Sequence, residues 1–325
     1  MPSVHRRRGW EISEREVTPE SVFMNRRQIL RALGITGLGL AATALPGLGH
    51  AAPAGIPGVQ EKPPAPDLYP AKRNPKFKLD LPITDEKAVA TYNNFYEFTD
   101  DKDPWEHVEK FKPNPWTIEV SGLVERPRTY DVEEILRKIP LEERVYRFRC
   151  VEAWSFVAPW TGIPLASFIK LVNPLSAAKH IRFTTFQRPD QAPGQKPSFF
   201  GRLPWPYTEG LTMAEATNEL SMLVAGMYGH PVYKQNGAPI RLIAPWKYGY
   251  KNIKSIVKME FITDQPATFW NTLVPHEYDY QSNVNPKVPH PRWSQATERA
   301  IPTGERKPTL PYNGYAEFVA HLYKS

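Results

Sequence analysis

Cysteine is almost absent from this sequence, which has only one, Cys150, among 325 residues. A single thiol excludes an intramolecular disulfide, and within this chain it also excludes paired redox cysteines, covalent haem attachment and iron–sulfur ligation. A zinc site is not indicated either, because there is no HExxH motif, no cysteine pair and no closely spaced histidine pair. A lone thiol is either buried and inert or used in chemistry, so the role of Cys150 is the first question.

Long apolar runs are also lacking. The longest candidate, residues 34–48, has about 15 residues, fewer than the roughly 20 that a helix needs to span a bilayer. It follows the adjacent pair Arg26 and Arg27, and small residues come after it. This pattern is typical of a twin-arginine signal peptide, with cleavage expected after Ala51. We therefore expect residues 1–51 to direct the folded protein to the periplasm, a route that favours a cofactor bound before export.

Charge of one sign is only in small excess. The formal net charge is +7, and it falls to +4 without residues 1–51, which carry seven basic and four acidic residues. No Lys/Arg cluster with interleaved aromatic residues stands out, so nucleic-acid binding is not expected. Proline is abundant, at 35 residues, and it interrupts helices and central strands. The composition predicts a globular α+β fold with mixed sheets, short helices and many proline-rich loops.

The remaining chain divides into two parts. Residues 52–76 are rich in Pro and Ala without periodicity, which predicts a flexible linker or an arm over the surface, and residues 77–325 are expected to form a single catalytic domain. Helices are predicted after the capping residues Asp131 and Thr212 and over 165–172. Strands are predicted at 116–122, 144–150, 180–186, 220–227, 240–244 and 253–262. The last sixty residues carry little regular signal.

Cys150 lies at the end of a predicted strand, within residues 147–154. Nearby cations would lower the pKa of its thiol, although strand alternation points Arg147 and Arg149 away from it. From the residues alone two uses stay open, a covalent nucleophile or a soft ligand for a metal. A cysteine protease would need a histidine base, and no histidine lies in a protease-like local pattern.

Residues 235–254 form the most unusual stretch, because amide, guanidinium and ammonium groups alternate there with Gly, Pro and aromatic residues. Backbone amides of a glycine-containing loop, together with Arg241, Lys251 and Lys254, could hold a phosphate. Side-chain amides suit the edge of a heterocycle. The alternative is a hairpin that exposes its lysines at a sheet edge.

Five segments together resemble a known family. They are residues 91–98, 149–155, 235–241, 245–255 and 290–299, with the sequences TYNNFYEF, RCVEAWS, QNGAPIR, PWKYGYKNIKS and HPRWSQATER. In order and spacing they look like the catalytic subunits of periplasmic protein-methionine-sulfoxide reductases, molybdoenzymes with the sulfite-oxidase fold. The resemblance covers nearly all of the chain beyond residue 77 and implies a sulfite-oxidase-like molybdopterin-binding domain.

The resemblance also implies a cofactor of one molybdenum with one molybdopterin. Cys150 matches the metal-ligating, catalytic cysteine, and a soft thiolate suits such a metal. Further positions match cofactor-binding residues, namely Asn93, Tyr96, Glu97, Thr185, Asn236, Arg241, Asn252, Ile253 and Lys254. Basic side chains among them would pair with the pterin phosphate, and amides with the donors and acceptors of the pterin.

The implied reaction removes oxygen from methionine sulfoxide in oxidised periplasmic proteins and restores methionine. Electrons would come from a membrane haem-b, quinol-linked subunit of the MsrQ type. Compared with animal and plant sulfite oxidases, the chain has no room for an Ig-like dimerisation domain and no haem domain, which favours a monomer with a separate electron donor. By composition, Trp246, Tyr248 and Trp293 are predicted to form an aromatic rim for a protein substrate.

Two alternatives stay open. The same fold could serve a sulfite or small-molecule oxidoreductase, which would need arginines such as Arg147, Arg149 or Arg202 beside the metal. A non-catalytic periplasmic binding protein could use residues 235–254 for another phosphate ligand, but it would have no use for Cys150.

Overall fold

The computed structural model describes residues 55–77, 79–197 and 203–323, so the predicted signal peptide lies outside the described residues. The strands are β1 (Thr117–Gly122), β2 (Arg128–Asp131), β3 (Glu142–Arg149), β4 (Trp154–Pro164), β5 (His180–Thr185), β6 (Thr208–Thr212), β7 (Met222–Met227), β8 (His230–Pro231), β9 (Arg241–Ile243), β10 (Ile256–Ile262), β11 (Thr297–Ala300) and β12 (Arg306–Pro308). The α-helices are α1 (Glu86–Thr91), α2 (Val132–Lys138), α3 (Leu165–Val172), α4 (Met213–Ala216), α5 (Phe269–Leu273) and α6 (Ala316–Val319). Across these described residues, no helix combines the length and the apolar character that crossing a membrane requires.

The first sheet has five strands in the order β2-β1-β10-β5-β6, and within it β1 and β10 run parallel. Alternation explains why these segments form a half-buried sheet, since Ile118 and Val120 of β1 are buried and β5 buries every second residue. The buried face belongs to one core with α2, α3 and an aromatic cluster around Phe111, Trp116 and Phe186.

The second sheet has seven strands arranged around β4. The whole of β3 pairs antiparallel with one edge of β4. On the other edge of β4, β11 pairs with its first residues and β7 with its last residues. β4 is not predicted by the sequence pattern. Its residues are buried almost without interruption, which removes the alternation that identifies a strand, and it contains Pro159, which cannot donate to a ladder. The Pro159 carbonyl still accepts a hydrogen bond from the Tyr228 amide at 3.1 Å.

The predicted strands are all present, each within three residues of its expected ends, and the predicted helices are present too. At the start of α2 the Asp131 carboxylate accepts hydrogen bonds from the amides of Glu133 and Glu134, at 2.8 and 3.3 Å. At α4, Thr212 and Glu215 form a complete capping box. Caps of this kind satisfy amides that have no partner inside the helix.

Residues 55–77 lie packed on the domain, so of the two forms predicted from their composition the structure has the arm over the surface and not the flexible linker. Ala65 and Tyr69 are buried, and the Gln60 amide donates to the Val232 carbonyl at 2.7 Å. The arm also reaches the unusual stretch, because Gln235 donates to the Pro57 carbonyl at 2.9 Å. A proline-rich segment without periodicity can therefore be held by isolated side chains and by polar contacts that composition does not reveal.

The C-terminal sixty residues, which have little regular signal in sequence, contain α5, β11, β12 and α6. A buried ion pair connects them to the rest of the domain. Lys247 Nζ lies 2.5 Å from Glu215 Oε1, and the Tyr323 hydroxyl donates to the same carboxylate oxygen at 2.7 Å. This network holds the end of the chain against α4 and the loop after β9.

Candidate active site

A cavity of about 780 Å³, counting the open space at its mouth, is lined by residues of both hydrophobic cores. Its size is in the range of pockets for small molecules and cofactors. We call it the inner chamber. Nine of the ten predicted site residues line it: Asn93, Tyr96, Glu97, Cys150, Asn236, Arg241, Asn252, Ile253 and Lys254.

Cys150 enters the inner chamber from a tight turn between β3 and β4. Its amide donates to the Trp154 carbonyl at 2.9 Å, and the Ala153 amide donates to the Cys150 carbonyl at 3.1 Å. Ala153 has a φ of 62°, an unusual conformation for a residue with a side chain. Behind the turn, the buried Arg149 guanidinium contacts the Cys150 carbonyl and lies 3.1 Å from the Glu298 carboxylate. The thiol therefore projects from a fixed backbone.

The described surroundings of Cys150 do not activate its thiol as a nucleophile. Burial, followed by the charge of Glu152, raises the pKa of the thiol to about 12. Such a thiol stays protonated at neutral pH and is a poor nucleophile unless a metal displaces the proton. Among the described residues, no histidine lines the chamber to act as a base. Asn94 Nδ2 and the Glu152 amide lie 3.7 and 3.5 Å from Sγ, in position to donate to a thiolate.

Arg241 and Lys254 make the inner chamber suited to an anion. Arg241 is buried and donates to the carbonyls of Asn236 and Asn252, at 2.6 and 3.2 Å, while its Nε has no partner. Neither cation forms an ion pair with a carboxylate among the described residues, and Lys254 Nζ donates to the Asn94 carbonyl. Burial lowers the pKa of Arg241 to about 9, and burial and then Arg241 lower the pKa of Lys254 to about 7. A bound anion would stabilise the charged forms of both side chains and so offset the free-energy cost of burying them.

Several buried amide atoms in the chamber have no partner within the described structure. Both polar atoms of Asn93 are unpartnered, as are the side-chain oxygens of Asn94 and Asn236. Because unpaired buried polar atoms are costly, they indicate a polar ligand in this position. Asn252 is different, since its oxygen accepts from the Ala244 amide at 2.6 Å and so shapes the loop. Glu97 is fully enclosed, and burial raises the pKa of its carboxyl to about 7.

Thr185 is the predicted site residue that does not line the chamber. Its hydroxyl donates to the carbonyls of Lys254 and Ser255, at 2.7 and 3.1 Å, from the end of β5. It therefore supports the backbone that carries Lys254. Gly237, in the same region, has a φ of 107°, and an added Cβ would come within 2.9 Å of the Lys254 side chain. A glycine is required there for the loop to close over the lysine.

The inner chamber opens to solvent through an outer chamber. Four residues line both chambers, and we call them the neck: Tyr96, Glu152, Trp270 and Tyr278. Arg292 and Trp293 complete the outer chamber. The Trp293 indole donates to the Val151 carbonyl at 2.8 Å, and the imidazole of His290 stacks on it at 3.8 Å between centroids.

The predicted aromatic rim is only partly present. Trp293 lines the outer chamber, whereas Trp246 is completely buried and donates to the Tyr323 hydroxyl at 2.8 Å, and Tyr248 lines neither chamber. Trp270 and Tyr278 were missed. They lie in the region with little regular signal, so no periodicity indicated that the tertiary fold brings them to the neck.

Of the three arginines predicted for an anionic substrate, the two that the structure describes do not lie at the neck. Arg149 faces Glu298 behind the cysteine turn, and Arg147 does not line either chamber. Arg202 lies outside the described residues. Two other cations near the neck are paired, Lys102 with Glu152 at 3.0 Å and Arg292 with Glu277 at 2.7 Å.

The fold and this site define a molybdopterin-binding oxidoreductase, since the family model for the oxidoreductase molybdopterin binding domain matches residues 105–270. The chain is 48% identical over 322 residues to the protein-methionine-sulfoxide reductase catalytic subunit MsrP of Burkholderia mallei (strain ATCC 23344), a match that covers 97% of this chain and 94% of that protein. This chain therefore belongs to the family of protein-methionine-sulfoxide reductase catalytic subunits. The predicted α+β, sulfite-oxidase-like molybdopterin fold is confirmed.

Among solved structures, the chain is similar to the sulfane dehydrogenase SoxCD from Paracoccus pantotrophus, with a TM-score of 0.45 and 13% identity. The similarity covers 84% of this chain and 62% of that one.

Proposed function

We propose that this protein is a molybdenum-dependent reductase that converts methionine sulfoxide in periplasmic proteins back to methionine. The observation that carries the proposal is the inner chamber, where one buried thiol lies with two buried cations, Arg241 and Lys254, that form no ion pair with a carboxylate of the described residues. The name of the relative from Burkholderia mallei supports the substrate class.

The residues of the inner chamber fit one molybdopterin with one molybdenum. Cys150 would ligate the metal, and Arg241 and Lys254 would pair with the phosphate. The unpartnered amides of Asn93 and Asn236 would bond the pterin, with the remaining contacts from Tyr96, Glu97, Asn252 and Ile253 and with Thr185 behind the loop. When bound, this cofactor supplies a metal whose reduced form can accept an oxygen atom from a sulfoxide.

The chain's own residues would bind and orient the substrate. Burial alone would raise the pKa of the Glu152 carboxyl, but hydrogen bonds and charges from Asn94, Lys102 and Trp154 outweigh it and hold the pKa below its usual range. The neck therefore combines a carboxylate with neutral aromatic rings. A neutral sulfoxide can enter such a neck, whereas sulfite would find no unpaired cation among the described residues that line the neck and the outer chamber, since Glu152 already pairs with Lys102. This charge pattern favours the sulfoxide over the sulfite alternative.

The overall conversion consumes two electrons and two protons for each sulfoxide and releases one thioether and one water. In the proposal, the electrons come from a membrane haem-b, quinol-linked subunit, and the protein reaches its substrates in the periplasm after twin-arginine export. The aromatic outer chamber would accommodate a methionine on a protein chain, and the enzyme would act as a monomer beside its membrane partner.

The test uses molybdenum-loaded protein with reduced viologen as electron donor. Oxidised protein containing methionine sulfoxide should consume the dye and yield methionine, while sulfite with an added acceptor should give no comparable rate. Cys150→Ser should remain folded and lose turnover, whereas Tyr312→Phe, which alters a hydroxyl away from both chambers, should retain it. Oxidation of sulfite without reduction of sulfoxide would contradict the proposal.

A further inference from the structure

We infer that Trp270 and Tyr278, which we call the clamp, form one continuous aromatic surface in the neck against which the substrate sulfoxide binds, with the Tyr278 hydroxyl donating a hydrogen bond to its oxygen. The inference rests on the proposed function and deepens it by assigning residues that determine specificity. Both side chains line the inner and the outer chamber, so a group that travels from solvent towards Cys150 passes them.

The two rings are held together as a unit. Their centroids lie 5.2 Å apart with a 32° tilt, and Tyr96 packs edge-on against Trp270 at 5.0 Å. The Asn271 side chain, next to Trp270 on α5, donates to the Tyr278 carbonyl at 2.7 Å. This hydrogen bond ties the helix to the loop, so the spacing of the rings is set before any substrate arrives.

The Tyr278 hydroxyl is available as a donor at the neck. Burial raises its pKa to about 12, so it stays protonated at every physiological pH. The residue that carries it lines both chambers, and Arg292, Glu277 and Glu152 are the charged residues that act on it. The described residues offer it no hydrogen-bond partner, and 7% of the residue remains exposed.

The chemistry of a sulfoxide fits this pair. The sulfoxide oxygen is a strong acceptor for a phenol, and the methyl and methylene groups beside the sulfur suit an aromatic surface. Once the oxygen is removed, the thioether sulfur is only a weak acceptor, so the hydrogen bond is largely lost. The Trp270 contact remains in both states. The clamp should therefore bind substrate more tightly than product, mainly through Tyr278, and so assist product release.

The experiment measures binding without turnover. Calorimetry on the molybdenum-loaded, resting protein gives the Kd of a peptide with one methionine sulfoxide and of the same peptide with methionine. Tyr278→Phe should reduce the preference for the sulfoxide peptide by about twofold to tenfold, the range of one neutral hydrogen bond. Trp270→Ala should weaken both peptides by a similar factor, up to about tenfold, and Trp270→Phe should recover much of the loss. Tyr312→Phe is the matched control and should change neither value.

Turnover gives a second readout, because loss of a ground-state contact should raise KM more than it lowers kcat. Molybdenum content and thermal melting check that each variant is folded and loaded. If the wild-type protein binds and reduces the sulfoxide but Tyr278→Phe keeps its full preference, the clamp is wrong and the proposed function stands. If the wild-type protein neither binds nor reduces the sulfoxide, both are wrong.

Discussion

Replacing Arg241 with methionine should separate cofactor binding from the stability of the unloaded protein. Burial lowers the pKa of Arg241 to about 9, and a fall of this size corresponds to about 5 kcal/mol of unfavourable burial for the charged guanidinium. Arg241→Met removes that cost. It also removes hydrogen bonds to the carbonyls of Asn236 and Asn252, each of about 1.5–3 kcal/mol because the donor is charged.

These two effects nearly cancel, so unloaded Arg241→Met should match the unloaded wild-type protein within about 2 kcal/mol in the free energy of unfolding. Truncation of most buried side chains of this size costs more. The loaded proteins should differ clearly. Wild-type protein gains the pairing of a buried cation with the pterin phosphate, and the variant should lose most of this gain together with most of its bound molybdenum.

The assay compares urea unfolding of protein from a host that makes molybdopterin and from one that does not, together with metal content. Arg144→Met is a suitable control, because Arg144 is also buried but is paired with Glu142 and stacked over Phe77, away from both chambers. It should lose stability and still load the cofactor. A loss of more than about 4 kcal/mol in unloaded Arg241→Met, or full loading of that variant, would refute the reasoning.

Three further changes test separate parts of the structure. Cys150→Ser should keep the melting temperature of the unloaded protein within a few degrees and abolish viologen-linked turnover, and wild-type turnover would contradict its role as metal ligand. Arg149→Met should destabilise the protein by up to about 3–5 kcal/mol in denaturant unfolding, because it removes the buried guanidinium from Glu298, which is then left with only Lys307 at 3.5 Å; a change below about 1 kcal/mol would show that the pair is unimportant. Asp131→Ala should cost about 1 kcal/mol through the lost α2 cap with unchanged activity, and Asp131→Asn should restore most of it.

Local patterns predicted the strands whose residues alternate between buried and exposed positions and the helices that begin at a clear capping residue. Strand alternation identified β1 and β5, and the capping residues Asp131 and Thr212 marked two helix starts. The same rules fail for β4, which is buried almost throughout and contains Pro159. They also fail for residues 55–77, where single side chains such as Tyr69 provide the attachment.

The candidate site likewise has residues that the sequence predicted and residues that it did not. Cys150 and the loop around Arg241 were identifiable because thiol, amide and guanidinium groups are concentrated in short segments. Trp270 and Tyr278 were not, because an aromatic residue in a segment without periodicity is equally compatible with a core position, and Trp246 does occupy one. What decides between these environments is tertiary contact, such as the hydrogen bond from Asn271 to Tyr278, which no local pattern encodes.

The distribution of charge connects cofactor binding with substrate choice. Arg241 and Lys254, which form no ion pair among the described residues, lie in the inner chamber, where a phosphate would neutralise them, whereas Lys102 and Arg292 near the neck already have acidic partners. Once the cofactor is bound, no free cation among the described neck and outer-chamber residues remains to draw an anion inwards. Selectivity against sulfite would then arise because the nearby cations are paired with carboxylates, not because arginine is absent.

Freeing one of those cations should weaken that selectivity. Glu277→Gln leaves the Arg292 guanidinium without its partner at the outer chamber, next to Trp293. Because Arg292 is largely exposed, the gain is limited by solvent, and we expect sulfite to inhibit sulfoxide reduction about twofold to fivefold more strongly at low salt. Raising the ionic strength should remove the difference, since screening acts on exposed charges. Equal inhibition of variant and wild type at low salt would mean that the Arg292–Glu277 pair does not control access of anions to the neck.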